Sequence, residues 1–353
     1  MMRDNKSTKP SNTALAVIDG FIRGARNEYQ GLFSDNDIVV AEHIRNLAIR
    51  ANPSWLQYGA FTLFTSLNYT LQSKTLNYLI GLNYDRHMAG RKLLIRNKIE
   101  DAIASGTRQI IFLGSGFDPR AYLAAKLFPS VQFFELDRGR TREIKLQALR
   151  SIEQPGSNGM NVSASGKVLD NLCCLDCDFE KDNLKDLLNG YHYDIAAKTL
   201  VIAEGLTSYL TNNSLRSLLG SIASLINQNS EFLLSFTYVT KPQGAIEAGL
   251  MNAAQEYIVF DMPPDQVIKF CNENSYHVTQ KMLHDDMHGK MSTEIDAQPS
   301  ENKANIKQEN YFLLACASQP QLNAIAEIPT MKQLDQAASL LRMENSSPEC
   351  SMM

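Results

Sequence analysis

FLGSGFDPRAY, residues Phe112–Tyr122, decides how this chain is read. An apolar run, QIIFL at Gln109–Leu113, breaks at Gly114 and Gly116, and Pro119 opens the helical-looking segment PRAYLAAKLF. Apolar run, glycine turn and helix start is the order of a buried strand feeding a covering helix. Glycines at such a junction let backbone approach a ligand closely, and the helix N-terminus offers unpaired N–H groups. A dinucleotide fingerprint, Gly-x-Gly-x-x-Gly, needs a third glycine or an alanine where this chain has Pro119. Pro119 suits the first turn of a helix, where its missing N–H costs nothing, and Asp118 before it suits the N-cap. A carboxylate there satisfies the helix donors and repels a pyrophosphate that sought them. The turn therefore reads as a site for a nucleoside without phosphates.

Working outward, VQFFELD gives a second strand and TREIKLQALRSI a helix, so the order is βαβα and a parallel sheet covered by helices is predicted. A Gly- and Ser-rich loop, QPGSNGMNVSASGK, precedes a third strand in VLDNLCCLDCD. KTLVIAEGLTSYL reads as a fourth strand, with Thr211 or Asn212 capping the helix SLRSLLGSIASLI, and EFLLSFTYVT as a fifth. A helical segment containing DMPPDQVIKFCNENS leads to strands at YHVTQKML and YFLLACA. The expected fold is α/β: a doubly wound, Rossmann-like, mostly parallel seven-stranded sheet. Its core spans residues 106–318, with a polar insertion at 284–309, behind a helical segment at 1–105 and before a tail at 319–353.

With 353 residues and 44% hydrophobic content the chain can bury a full core, and a net charge of −4 gives no basic footprint for nucleic acid. No apolar run reaches the roughly 18–20 residues of a membrane span, and Asp19 interrupts the only N-terminal stretch resembling a signal-peptide core. A cytoplasmic protein that neither spans a membrane nor binds nucleic acid is expected. Cys173, Cys174 and Cys177 cluster in CCLDC. The Cys-x-x-Cys spacing lacks the second ligand pair that a structural zinc site needs, so no metal is expected.

Two charged residues fit the glycine turn. Asp137 ends the second strand, 21 residues beyond Gly116, where a carboxylate accepts hydrogen bonds from both ribose hydroxyls. Arg91 continues the apolar helix stripe of Ile95, Ile99 and Ile103. A buried guanidinium is costly unless paired, so Arg91 meets either a ligand anion, a neighbouring Asp or Glu, or snorkels at the helix start. A nucleoside without pyrophosphate and with a positive group describes S-adenosylmethionine, which has ribose, adenine, a sulfonium, an ammonium and a carboxylate.

RQIIFLGSGFDPRAYLAAKLF, VQFFELD and LVIAEGLTSYL together resemble the leucine carboxyl methyltransferases and related bacterial S-adenosylmethionine-dependent O-methyltransferases. That family carries Leu-Gly-Ala-Gly-x-Asp-Thr-Arg, then Glu-x-Asp, then Ala-Glu-Gly-x-x-x-Tyr-Leu. Here Ser115 replaces the alanine and Pro119 the threonine. The resemblance runs from about Arg91 to Leu210 and implies a class I methyltransferase fold with S-adenosyl-L-methionine as cofactor. It further implies that Arg91 holds the cofactor's carboxylate, that Gly114 and Gly116 lie under its methionyl and ribose parts, and that Asp137 binds the ribose. Asp176 and Cys177 occupy the place of the adenine contacts, with a register open by one or two residues. Glu204 falls near the methionyl group, and Tyr209 closes its motif on the substrate side. Their plain alternatives are a helix-capping glutamate and a core tyrosine. FIRGARNEYQ resembles the family's N-terminal Arg-Ala-x-Glu segment, which leaves Arg23 or Arg26 to meet an acidic substrate.

The implied reaction is methyl transfer to a small-molecule acceptor, a carboxylate by resemblance, with a metabolite favoured over a protein-phosphatase C-terminus and the N-terminal helices forming part of a lid. A carboxylate is ionised at neutral pH and needs no base, and His87, His192 and His277 are isolated in the sequence. The alternatives are a nicotinamide-dependent oxidoreductase, against which Asp118 and Pro119 argue, and a protein that binds S-adenosylmethionine without catalysis.

Overall fold

The computed structural model describes residues 10–51, 84–155, 166–238, 262, 264–283 and 308–316. Three N-terminal helices come first: α1 (Asn12–Asn27), α2 (Asp35–Arg50) and α3 (Tyr84–Ala104). Then follow β1 (Gln109–Leu113), α4 (Arg120–Leu127), β2 (Gln132–Asp137), α5 (Gly139–Glu153), β3 (Lys167–Leu169), β4 (Leu172–Asp176), α6 (Leu184–Asn189) and β5 (Thr199–Ala203). A 3-10 turn at Thr207–Tyr209 precedes α7 (Asn212–Ala223), β6 (Glu231–Tyr238), α8 (Pro264–Glu273), β7 (Tyr276–Leu283) and β8 (Gln308–Cys316).

The strands form one sheet in the order β3-β4-β2-β1-β5-β6-β8-β7. β4, β2, β1, β5 and β6 are mutually parallel, and β8 runs antiparallel to both β6 and β7. This is the doubly wound sheet that the alternating pattern implies, with a reversed strand inserted near one edge. All five residues of β1 are buried, as a parallel strand covered on both faces requires. Its side chains alternate between two cores. Ile110 and Phe112 pack with α1, α2, α3, α4 and α5, while Ile111 and Leu113 pack with α6, α7 and α8.

The seven expected strands are present, and an eighth accompanies them. VLDNLCCLDCD folds as a hairpin, β3 against β4, because Asp170 and Asn171 turn the chain between them. Asn171 Nδ2 donates to the carbonyls of Ala125, Phe128 and Val131 at 3.0–3.2 Å, which ties that turn to the end of α4. The strand expected through KTLVIAEGLTSYL stops at Ala203, where Gly205 takes a φ of +70° and redirects the chain. Thr211, one of the two candidate caps, accepts the Ser214 N–H. The Gly- and Ser-rich loop at 156–165, most of the polar insertion and the tail at 319–353 lie outside the described residues.

α1 and α3 cross closely because small residues face the crossing. A Cβ on Gly24 would sit 2.2 Å from the Asp85 carbonyl oxygen, and one on Gly20 2.6 Å from a Tyr84 ring carbon. Beside this crossing Arg23 is buried against Asp85 at 2.9 Å and also pairs with Asp19, which Arg45 reaches at 3.2 Å. Arg26 pairs with Glu42 at 2.9 Å. The two arginines considered for an acidic substrate thus hold the N-terminal helices to one another.

Candidate functional site

β1, β2, β4 and β5 are parallel, so their carboxyl ends open on one edge of the sheet, and the candidate residues lie there. After β1, Gly114 and Gly116 take φ values of +65° and +53°, which residues with a side chain rarely adopt. A Cβ on Gly116 would stand 3.2 Å from that of Ala14, so the first turn of α1 lies against the glycine turn. The Gly116 N–H donates to Asp137 Oδ2 at 2.6 Å, and the Arg138 N–H donates to Oδ1 at 2.7 Å. Burial pushes the Asp137 carboxyl above the usual aspartate range, and these two N–H groups oppose that rise. Asp176 lies beside Asp137 in register on β4, is exposed, and accepts the Gly139 N–H at 3.0 Å. Cys177 donates its N–H to the Asp137 carbonyl, but its side chain is buried in the apolar core. Burial, with Asp182, Asp178, Asp176 and Asp137 nearby, pushes that thiol up to about 12.

The second half of the site is ionic. Arg91 Nε donates to Glu204 Oε1 at 2.8 Å, and Lys92 Nζ donates to the same oxygen at 3.0 Å and to Asp118 Oδ2 at 2.8 Å. Arg120 Nη2 bonds both Asp118 Oδ2 and Glu204 Oε2, and Arg120 Nε reaches Asp118 at 2.7 Å. Each of the five side chains is at most 10% exposed. Burial alone would raise both carboxyls, but Arg120 and Lys92, joined by Arg91 at Glu204, hold them well below the ordinary range. Burial and the neighbouring Arg120 push the Lys92 ammonium down.

The N-cap of α4 is Pro119, with angles of −80° and −8°, one residue later than expected; Asp118 stands just before it, and its Oδ1 accepts the Arg120 N–H at 3.0 Å. Glu204 is therefore no helix cap but an acid shared by three cations. Tyr209 is no core tyrosine either: it stands 37% exposed on the 3-10 turn.

Arg91 and Glu204 are thus in contact, and so are Gly116 and Asp137. Asp176 adjoins Asp137, whereas the Cys177 side chain faces away into the core. Lys92 and Arg120 were not singled out from the sequence. A signal for Arg120 was present, since it stands in Asp-Pro-Arg at the place of the family's Asp-Thr-Arg. Arg120 Nη1 is buried and has no acceptor among the described residues. That orphaned donor fits an incoming carboxylate. Among the described residues no group of three His, Cys, Asp or Glu side chains is placed to hold a metal ion, and no helix is long and apolar enough to cross a membrane.

Residues 64–223 match the leucine carboxyl methyltransferase family. A Frankia alni protein, provisionally named an S-adenosyl-L-methionine-dependent methyltransferase, is 29% identical over 184 residues. The match takes in 50% of this chain and 58% of that protein, so the chain spans little more than half of its relative's length. Among solved structures, the chain is similar to Synechocystis magnesium protoporphyrin IX methyltransferase with bound S-adenosylhomocysteine, at 9% identity and a TM-score of 0.41, covering 66% of this chain and 86% of that one. It is similar also to human N-acetylserotonin methyltransferase, at 11% identity and a TM-score of 0.39, covering 69% and 59%. Neither likeness is near enough to bear on function.

Proposed function

We propose, from the match of residues 64–223 to the leucine carboxyl methyltransferase family, that this protein is an S-adenosylmethionine-dependent O-methyltransferase acting on a small carboxylate. The observation that carries the reading is the pairing of Gly116 with Asp137 on the same sheet edge as the Arg91–Glu204 contact. The first pair suits a ribose, and the second a zwitterionic amino-acid group. Asp118 already accepts a helix N–H, which speaks against a pyrophosphate in that place.

S-adenosylmethionine, when bound, supplies a methyl group on a sulfonium that a nucleophile can displace in line. The chain's part is to orient the two reactants and exclude water. Gly114 and Gly116 allow close backbone approach, Asp137 orients the ribose, and Arg91 with Glu204 fixes the amino-acid end. The first turn of α1, already against Gly116, covers the turn as part of the lid. An alcohol acceptor would need a base, yet Asp118 and Glu204 are held far below the ordinary range and are weak bases at neutral pH. An acceptor that arrives ionised needs none, which supports a carboxylate.

The test is calorimetric titration with S-adenosylhomocysteine and with NADH, followed by transfer of labelled methyl to a panel of carboxylic acids and phenols. Micromolar binding of S-adenosylhomocysteine alone, with label recovered as base-labile esters, is expected. Binding of NADH alone would overturn the reading, and label recovered only on phenols would overturn the acceptor class.

A further inference from the structure

Arg120 stands at the start of α4, a helix of eight residues, with its side chain 9% exposed. One edge of its guanidinium is spent: Nε and Nη2 hold Asp118, and Nη2 also holds Glu204. Nη1 is buried and has no acceptor among the described residues. A buried donor left unmade costs about 1–3 kcal/mol, more when the group is charged, so such an atom is tolerated where a ligand completes it. Arg120 shares Glu204 with Arg91 and Lys92, and the nearby Lys145 is held by Glu135 at 2.5 Å.

Resting on the methyltransferase reading, we propose that Arg120, through Nη1, is a second binding residue for the carboxylate of the cofactor's amino-acid end, alongside Arg91. The two guanidiniums reach Glu204 from opposite oxygens, Arg91 at Oε1 and Arg120 at Oε2. A group with both a carboxylate and an ammonium offers an acceptor to the guanidiniums and a donor to Glu204. A ligand that carries the ammonium alone leaves Arg120 Nη1 without an acceptor. Arg120 thus selects the intact amino-acid end.

The experiment compares two ligands against two variants by calorimetry. The ligands are S-adenosylhomocysteine and its decarboxylated analogue, which keeps the adenosine, sulfur and ammonium. The variants are Arg120→Met and Arg120→Lys, with thermal melting as a check that each is folded. Arg120→Met is expected to weaken S-adenosylhomocysteine by roughly 10- to 100-fold, as losing a charge-assisted hydrogen bond does. The decarboxylated analogue should change no more than about 2-fold by the same reasoning. Arg120→Lys, which keeps the charge and loses the fork, should fall between the two proteins. Equal weakening of both ligands would make Arg120 a support for Glu204 only and overturn the proposal. Unchanged S-adenosylhomocysteine affinity would also overturn it, leaving the acceptor's carboxylate as the alternative occupant. Wild-type protein that binds neither ligand would overturn the cofactor reading, and this assignment with it.

Discussion

Asp137, at the end of β2, accepts the N–H of Gly116 at 2.6 Å, so the acid and the glycine turn are a single unit although 21 residues separate them. With the Arg138 N–H on its other oxygen, the carboxylate keeps one lone pair on each oxygen. Two ribose hydroxyls need that many.

Asp137→Ala should therefore weaken S-adenosylhomocysteine binding by about 10- to 100-fold, the scale of lost hydrogen bonds to a charged group. Calorimetry reads the change. An affinity within 2-fold of the wild type would remove Asp137 from the site.

The same residue sets an acid limit on binding. Its pKa is raised, chiefly by burial, so the ionised form that accepts ribose hydroxyls is lost as pH falls, at a pH above the ordinary aspartate value of about 3.9. Affinity for S-adenosylhomocysteine, measured from pH 8 downward, should start to drop before that value is reached. A flat profile through it would show that Asp137 does not bear on the ligand.

Glu204→Gln removes a carboxylate that Arg91, Lys92 and Arg120 share, and removing one partner of a buried ion pair costs about 3–5 kcal/mol. Because the wild-type carboxyl is held below its ordinary value, its stabilisation is present above the unfolded value near 4.3 and is lost only as pH falls through the lower folded value. Denaturant melts should show a gap between variant and wild type that is widest at neutral pH and narrows in acid. A gap independent of pH would point to packing rather than charge.

Two helical glycines should respond oppositely to alanine. At Gly24 the new Cβ would meet the Asp85 carbonyl oxygen at 2.2 Å, and α1 and α3 would have to part, costing roughly 1–3 kcal/mol as overpacking does. At Gly220, on α7, the Cβ meets nothing within 4 Å, and alanine should stabilise by about 0.5–1 kcal/mol through helix propensity. Thermal melting of Gly24→Ala and Gly220→Ala separates them, and shifts of the same sign would contradict the crossing described for α1 and α3.

Native alkylation should divide four of the thiols. Cys173 is partly exposed, whereas Cys174, Cys177 and Cys271 are buried, and burial pushes Cys177 and Cys271 up to about 12. Peptide mass spectrometry after brief iodoacetamide treatment should find label on Cys173 well before the other three. Early label on Cys177 would mean that the end of β4 opens in solution.

Much of this was legible from residues 109–137. A continuous apolar run, two glycines, Asp118 with Pro119, and a terminal acid each act through local geometry, so their pattern survives in one dimension. Arg91 could be placed on a buried stripe by its spacing from Ile95, but its partner could not be chosen, because Glu204 lies 113 residues away and meets it only once β5 is beside β1. Lys92 was invisible for the same reason. It breaks an apolar face, and only Asp118 and Glu204 explain how it can be buried. Arg23 shows the converse. The motif drew attention to it as a substrate contact, whereas Asp85, 62 residues on, claims it for the helix packing. Ion pairs distant in sequence leave no periodic trace, whereas turns and strands do.

The place of β8 has a consequence for how the chain becomes a protein during synthesis. Among the described residues β7 pairs only with β8, and β8 is what joins it to β6. A ribosome delivers β1, β2, β4, β5 and the Arg91–Glu204 contact by residue 204, within reach of local docking. β7 must wait, unpaired, until residues 308–316 emerge and slot in beside it. Chains halted between these points should carry the ligand edge already assembled and a sticky, unfinished flank, the form of the molecule that a chaperone would meet.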